Sequence, residues 1–401
     1  MHDDTDRTST DAERSGRPKS AGTARRVLLP AIVVAIGAAG AFATVNRGGV
    51  DEGVREGRLG TAPSPASASH DGMVSGAVWV ANEDGASLSV IDAATNTVVT
   101  SVKGVEGPHN VQVSPDSRTV WAVSGHDSMA VMLDAGTLAL HGVVPTGAAP
   151  AHVIVTLDGK TTYTTNGADG TVTAIDAATM KPLATIPVGE GPHGLRPSPD
   201  GRWIYVANVS GNTLSVIDTS ANTKVADIEV GKAPAQVAFS PDGRFVYASI
   251  NAEDALVKVD VQTREVVGRV MVGDGPIQTY VSPDNRYVLV ANQGTKERPG
   301  TTVSVIDTTS FTVARTVETG QGAHGVVVDP SSRHAYVTNL YGNDVAVLDL
   351  NELRVVGRIP VGDKPNGISF STVPVSEQAP VTIELPEGQG IGDQGHGGDG
   401  H

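Results

Sequence analysis

Four histidines recur at one point of a repeated pattern, directly or one residue after a proline or its equivalent: His109 after Pro108, His152 after Pro150, His193 after Pro192 and His324 after Ala323. Asn110, Gln236, Gln278 and Asn366 hold matching positions in the same or sister segments. Neutral imidazole suits Zn, Cu, Ni or Fe, and amide side chains orient polar ligands by donating and accepting hydrogen bonds. A rim of these residues could hold a small ligand, a protein partner or a divalent transition metal, with His109, His152, His193 and His324 as metal candidates. There is no His-x-His or His-x3-His pair, and no carboxylate accompanies the histidines in the sequence. Side chains alternate along a strand, so the direction of His152, one residue out of phase, stays open. A local hydrogen bond that stabilises the start of a strand is the other role open to each histidine.

Arg196 is a second candidate. Its equivalents are Gln112, Ile154, Ala238, Tyr280, Val327 and Ser369, so one cation stands where neutral residues serve elsewhere. An arginine in a narrow channel needs an anion, a carbonyl cluster or water, and its planar fork suits an acidic group.

The elements that position these residues follow from a period. Asp92, Asp134, Asp176, Asp218, Asp260, Asp307 and Asp349 each close a short β-like run, 42, 42, 42, 42, 47 and 42 residues apart. A period near ~40 residues with several strands per unit is the signature of propeller blades. Within Pro192 to Val230, a first strand ends at the turn Pro199-Asp200-Gly201-Arg202. Trp203 to Asn208 follows, then Thr213 to Asp218, then Lys224 to Val230. The expected fold is all-β: a seven-bladed propeller of four-stranded antiparallel blades over residues 77–371. The array starts at a second strand and ends on a lone first strand, Pro365 to Ser371, so pairing that strand with the three N-terminal ones closes the ring. First strands then line the axis, and their leading loops share a face with the loops between second and third strands. One such loop departs from the period and carries Lys296, Glu297 and Arg298, a further candidate binding element.

Several apparent motifs dissolve in this frame. Gly189 to Gly194 and Gly320 to Gly325 both spell G-x-G-x-x-G, but neither opens a helix. Acidic turns at Asn82 to Gly85 and Asn166 to Gly170 have a conformational reason for their Asn, Asp and Gly. The seven repeated aspartates share the period of the fold and read as structural. No nucleophile elbow or paired catalytic carboxylates occur, so no catalytic set is assigned.

Tyr336-Val337-Thr338-Asn339 spells the signature of the YVTN-repeat (YncE-like) β-propellers, with Tyr205 to Asn208, Trp79 to Asn82 and Leu289 to Asn292 as close variants. The Ser-Pro-Asp turns at Ser114, Ser198, Ser240 and Ser282 resemble that family too and, more distantly, WD repeats. The resemblance implies a propeller used as an exported binding protein, a surface protein or the scaffold of a cofactor enzyme. Lactonase-type propellers rely on acidic metal ligands at the channel mouth, where this rim offers His, Asn and Gln. The expectation is a binding or scaffold module working through the histidine face. A metal- or cofactor-dependent oxidoreductase or lactonase, or a purely structural surface protein, is the alternative.

Composition sets the remaining bounds. The formal charge of −15 and the lack of a basic stripe exclude a phosphate-backbone binder, so no nucleic acid is expected as partner. The absence of cysteine excludes disulfides and thiolate metal sites. Residues 1–26 are polar and end in Arg25-Arg26; residues 27–45 form an uncharged apolar run that suits an export signal or a membrane anchor. Residues 46–76 read as a flexible linker and 372–401 as a Gly/His/Asp-rich, mostly disordered tail whose His396, Asp399 and His401 could chelate only loosely. The propeller is thus expected outside the cytoplasm, anchored or secreted.

Overall fold

The computed structural model of the protein describes residues 74–386, and seven sheets of the expected kind are present there. Stretches 1–26 and 27–45, most of the linker 46–76, and residues 387–401 lie outside the described residues. Among the described residues no helix is long and apolar enough to cross a membrane.

Blades are numbered here by their axial strands, which begin at Val111, Pro150, Pro192, Pro234, Pro276, Ala323 and Pro365. Blade 3 shows why the sequence folds this way. Its strands Pro192–Pro197, Trp203–Asn208, Thr213–Asp218 and Thr223–Glu229 pair antiparallel in chain order. Ser198 Oγ accepts the Trp203 N–H at 3.0 Å and donates to Asp200, which accepts the Arg202 N–H at 3.1 Å, fixing the first turn. Asn208, the last residue of the YVTN-type run, donates its Nδ2 to Thr213 and Ser215 at 3.0 and 2.9 Å, clamping the second hairpin. Asn82, Asn166 and Asn292 make the same clamp.

The repeated aspartate holds the third turn. Asp218 accepts the N–H groups of Ser220 and Ala221, and Asn222 four places on adopts a left-handed φ of 51°. The equivalent residue is Leu138, Met180, Phe311 or Leu353 in other blades. Such residues pay roughly 1–2 kcal/mol for that conformation, which the carboxylate hydrogen bonds offset.

Second and third strands are buried on both faces and alternate between two cores. Tyr205 and Ala207 pack toward blade 4, while Ile204 and Val206 pack toward blade 2. Seven such clusters stand between adjacent blades, and each fully buried large side chain in them contributes about 1.5–3 kcal/mol. The ring closes as the sequence requires: Pro365–Ser371 pairs antiparallel with Ala77–Asn82, in register from Ala77 with Ser371 to Val80 with Ile368.

The tail beginning at residue 372 needs correction. Residues 372–386 pack on blade 7, where Val381–Thr382 adds a parallel fifth strand beside Val102 and Lys103. Val375 and Ile383 are buried in the core between blades 7 and 1. Val381, Ile383 and Leu385 alternate in the sequence, so one face of the segment is apolar and covers a strand edge that would otherwise stay unpaired.

Candidate functional site

The histidine rim arises from a break in each axial ladder. Pro192 pairs with Asn208, but the next pair is Leu195 with Val206; Pro150 and Val153 show the same shift, and so do Pro276 and Thr279 and Ala323 and Val326. In blade 1 the ladder starts only at Val111, after His109 and Asn110. A bulge releases residues from regular alternation and re-aims their side chains. That is how His152, one residue out of phase, comes to face the same point as His109 and His193. One nitrogen from each of these three rings falls within 4.8 Å of the others. The ring centroids of His152 and His193 are 4.6 Å apart, and His324 stands 5.9 Å from His109.

Proton positions follow from the partners. His193 Nδ1 lies 2.9 Å from the Ala235 carbonyl, which only accepts, so Nδ1 carries the proton and Nε2 presents a lone pair. His109 Nε2 donates across 3.0 Å to that lone pair. His109 Nδ1 then accepts from Asn366 Nδ2 at 2.9 Å, and the second proton of that amide goes to Glu83 Oε2 at 2.6 Å. Glu83 Oε2 is itself 3.4 Å from His109 Nδ1, and Lys364 Nζ reaches Glu83 Oε1 at 2.8 Å. His152 differs: it is 0 % exposed and neither ring nitrogen has a hydrogen-bond partner among the described residues.

Electrostatics keep the rings neutral. Burial pushes His152, His193 and His324 below the usual histidine range, and repulsion from neighbouring rings adds to it, bringing His193 to about 4. Burial pushes the Glu83 carboxyl up, but the hydrogen bond and charge that a protonated His109 offers, followed by Lys364, outweigh it and hold Glu83 below the usual carboxylate range. Neutral imidazoles can ligate a transition metal, and a carboxylate behind one ligating ring is a usual partner.

The expected residues divide. His109, His152, His193, His324 and Asn366 are brought together. Asn110 serves the fold by accepting the Val153 N–H at 3.2 Å, and Gln236 accepts the Val237 N–H at 2.9 Å. The Nε2 atoms of Gln236 and Gln278 are buried and have no hydrogen-bond partner among the described residues. Gly194 has no side chain because a Cβ there would collide with Gln236 Oε1. Lys296, Glu297 and Arg298 sit on the exposed tip of a lengthened hairpin where Gly294 pairs with Pro299, and no hydrogen bond or ion pair joins them to the histidines among the described residues. Arg196 lies farther down the channel, close enough for its charge to act on His152.

Glu83 corrects the view that no carboxylate accompanies the histidines. It sits in the turn between second and third strands of blade 7, on the face shared with the starts of the axial strands. Its signal was available: that turn occupies the histidine face by topology, and a Glu there has no turn-forming role to explain it.

Comparison with known proteins supports the architecture. Residues 118–382 match the family described as YNCE-like beta-propeller. Hydrazine synthase of Kuenenia stuttgartiensis is 25% identical with a TM-score of 0.60, over 66% of this chain and 90% of that one. A functionally unknown protein from Desulfotomaculum acetoxidans DSM 771 is 17% identical with a TM-score of 0.66, over 75% of this chain and 100% of that one. A putative 6-phosphogluconolactonase from Bacteroides fragilis NCTC 9343 is 18% identical with a TM-score of 0.64, over 76% and 99% of the two chains. The last two likenesses are of fold alone. No curated protein matches the chain. Because the family match covers more than half of the chain and ends inside the closing blade, this protein belongs to the YNCE-like β-propeller family.

Proposed function

We propose that the protein is a metal-binding propeller module that holds one divalent transition metal, Cu(II) or Zn(II), through His109, His152 and His193. The observation that carries this is His152: a fully buried imidazole with two unpartnered nitrogens, set within 4.8 Å of two other histidine nitrogens. An unsatisfied buried polar group costs about 1–3 kcal/mol, and a coordinated ion removes that cost. The surrounding groups fit the reading. His193 donates its distal N–H to a backbone carbonyl, and Glu83 stands behind His109, as outer-shell partners of ligating histidines commonly do. His109, His152 and His193 would hold the ion, and with its Nε2 engaged His109 would carry its proton on Nδ1, on the side of Glu83. Three protein ligands leave a position open for an exogenous ligand, which is the sense in which the module would bind and present something. The apolar run at 27–45, preceded by Arg25-Arg26, supports a place for this site outside the cytoplasm; a reporter fused after Ser371 that is active only in the cytoplasm would refute that location.

The test titrates Cu(II) and Zn(II) into metal-free, untagged protein and into the His109→Ala/His193→Ala variant. Wild type should take up about one equivalent that the variant lacks, with Cu(II) tighter than Zn(II). The variant should lose more than the ~10–100-fold that removal of an outer-shell partner costs. Equal uptake by both chains, with the variant less stable by about 1–3 kcal/mol, would instead assign the rings to structural hydrogen bonding.

A further inference from the structure

At the opposite end of the channel, where the axial strands run into their Ser-Pro-Asp-type turns, lies a cavity of about 540 Å³. Its lining includes one residue from the same position of every blade: Arg196 and its six equivalents, from Gln112 to Ser369. Arg196 is the only charged residue among those that line it. Its guanidinium makes one hydrogen bond, to the Leu195 carbonyl at 3.2 Å, and no ion pair among the described residues. Five N–H donors in a planar fork are thus almost wholly unspent. The Tyr280 hydroxyl makes no hydrogen bond among the described residues, and Ser369 Oγ accepts the Val113 N–H, which leaves its own proton to donate. Burial pushes the Tyr280 hydroxyl up while the Arg196 charge pulls it down, which places the two in one electrostatic environment. Gln112, Ser114, Ser117 and Thr372 add polar groups, and most of the remaining wall is apolar, with Phe239 and Phe370 its largest groups and turn prolines such as Pro199 around it.

This combination defines a ligand. Donors without a matching carboxylate call for an anion, while the apolar wall gains only from apolar surface. The volume lies within the range of small-molecule sites, about 300–1,000 Å³. Arg196 is three residues beyond His193 on one strand, about 10 Å at the usual rise, so this site is separate from the histidines. We propose that this cavity binds a small organic monocarboxylate, its carboxylate on the Arg196 fork with Tyr280 and Ser369 as further donors, and its apolar body against Phe239 and Phe370.

Calorimetric or ligand-observed NMR titration of the metal-free full chain with hexanoate, its neutral isostere hexanamide, and inorganic phosphate tests this. Hexanoate should bind at least about tenfold more tightly than either comparator, the amide lacking the charge and phosphate lacking the apolar body. Arg196→Met should abolish the preference for acid over amide, and His109→Ala/His193→Ala should retain it, so the result is independent of metal binding at the other mouth. Hexanoate binding that Arg196→Met leaves intact, or phosphate binding as tightly as hexanoate, overturns the assignment. If Arg196→Met fails to melt cooperatively, the wild-type comparison decides alone: a preference for hexanoate over hexanamide below threefold sinks the proposal.

Discussion

At the mouth where the axial strands begin, a register shift in most blades loosens the ladder, and four histidines, Asn366 and Glu83 meet around the axis. At the mouth where they end, the strands run regularly into tight turns held by Ser114, Thr156, Ser198, Ser240, Ser282 or Asp329, and a single arginine faces a largely apolar cavity. The same seven strands therefore carry neutral lone pairs at one end and an unspent cation at the other. The difference lies in what the backbone leaves free. A bulge lets consecutive residues turn toward one point, so several side chains can converge. A regular ladder lets only every second residue face the channel, so chemistry there enters one residue per blade.

The strongest way to break this contrast is to remove what both ends share. Pro365–Ser371 supplies Asn366 to the first mouth and Ile368 and Phe370 to the second. Deleting residues 365–401 should abolish cooperative unfolding, followed by circular dichroism on heating, and remove both sites together. Deleting 387–401 should leave the melt unchanged. Deleting 372–401 should fall between, since it exposes the outer edge of blade 7 and loses Val375 and Ile383 from the core, each worth about 1.5–3 kcal/mol. A cooperative, wild-type melt after removal of Pro365–Ser371 would show that the ring does not depend on its closing strand.

How much of each mouth was legible in the sequence follows from the same backbone difference. The period of the aspartates and the YVTN-type runs specify blade number, strand order and closure because every blade repeats one set of hydrogen bonds. Arg196 was legible too, since in a regular ladder a residue keeps its phase and its six equivalents can be read off. The convergence of His152 was not, because a bulge changes phase without changing the residue count. Glu83 was obscured by its neighbours Asn82, Asp84 and Gly85, which are ordinary turn residues. The packing of residues 372–386 was missed because only three or four alternating apolar residues announce it.

The second way to sharpen the contrast is pH. An unfolded histidine titrates near 6.5, whereas His193 stays neutral in the folded chain to about 4, and His152 and His324 are likewise held down by burial. As pH falls, the unfolded chain binds these protons first. The contribution is fully present above about 6.5 and is lost as pH drops toward 4, by an amount on the order of 3 kcal/mol for His193 alone. Denaturant unfolding of metal-free protein should show this loss, and His193→Gln should flatten part of it. Arg196→Met should flatten the slope less than His193→Gln does, because its charge is one of the smaller causes that hold His152 down, after burial and the neighbouring rings. An equal slope in wild type and His193→Gln would mean that the histidine mouth is not where the folded state resists protonation.

The smallest effect is also the most specific. Glu83→Gln keeps the shape of the side chain and its ability to accept from Asn366, but removes the charge that faces His109 Nδ1 at 3.4 Å. In the metal-free chain His109 Nδ1 accepts a hydrogen bond from Asn366, so the carboxylate is not needed to hold the ring. If Nε2 ligated a metal, the ring would carry its proton on Nδ1, where a carboxylate would stabilise it better than an amide does. Metal affinity should therefore fall by about 10–100-fold, while the melting temperature of the metal-free chain moves little. Hexanoate binding at the Arg196 cavity should be unaffected. Lys364 gives the control, because it pairs with the opposite oxygen of Glu83 at 2.8 Å and makes no hydrogen bond or ion pair with His109 among the described residues. Lys364→Met should lower metal affinity less than Glu83→Gln does, since it leaves the carboxylate behind the ring in place. If both substitutions weaken the metal equally, Glu83 acts by holding the turn through its ion pair and not by stabilising the proton on His109 Nδ1.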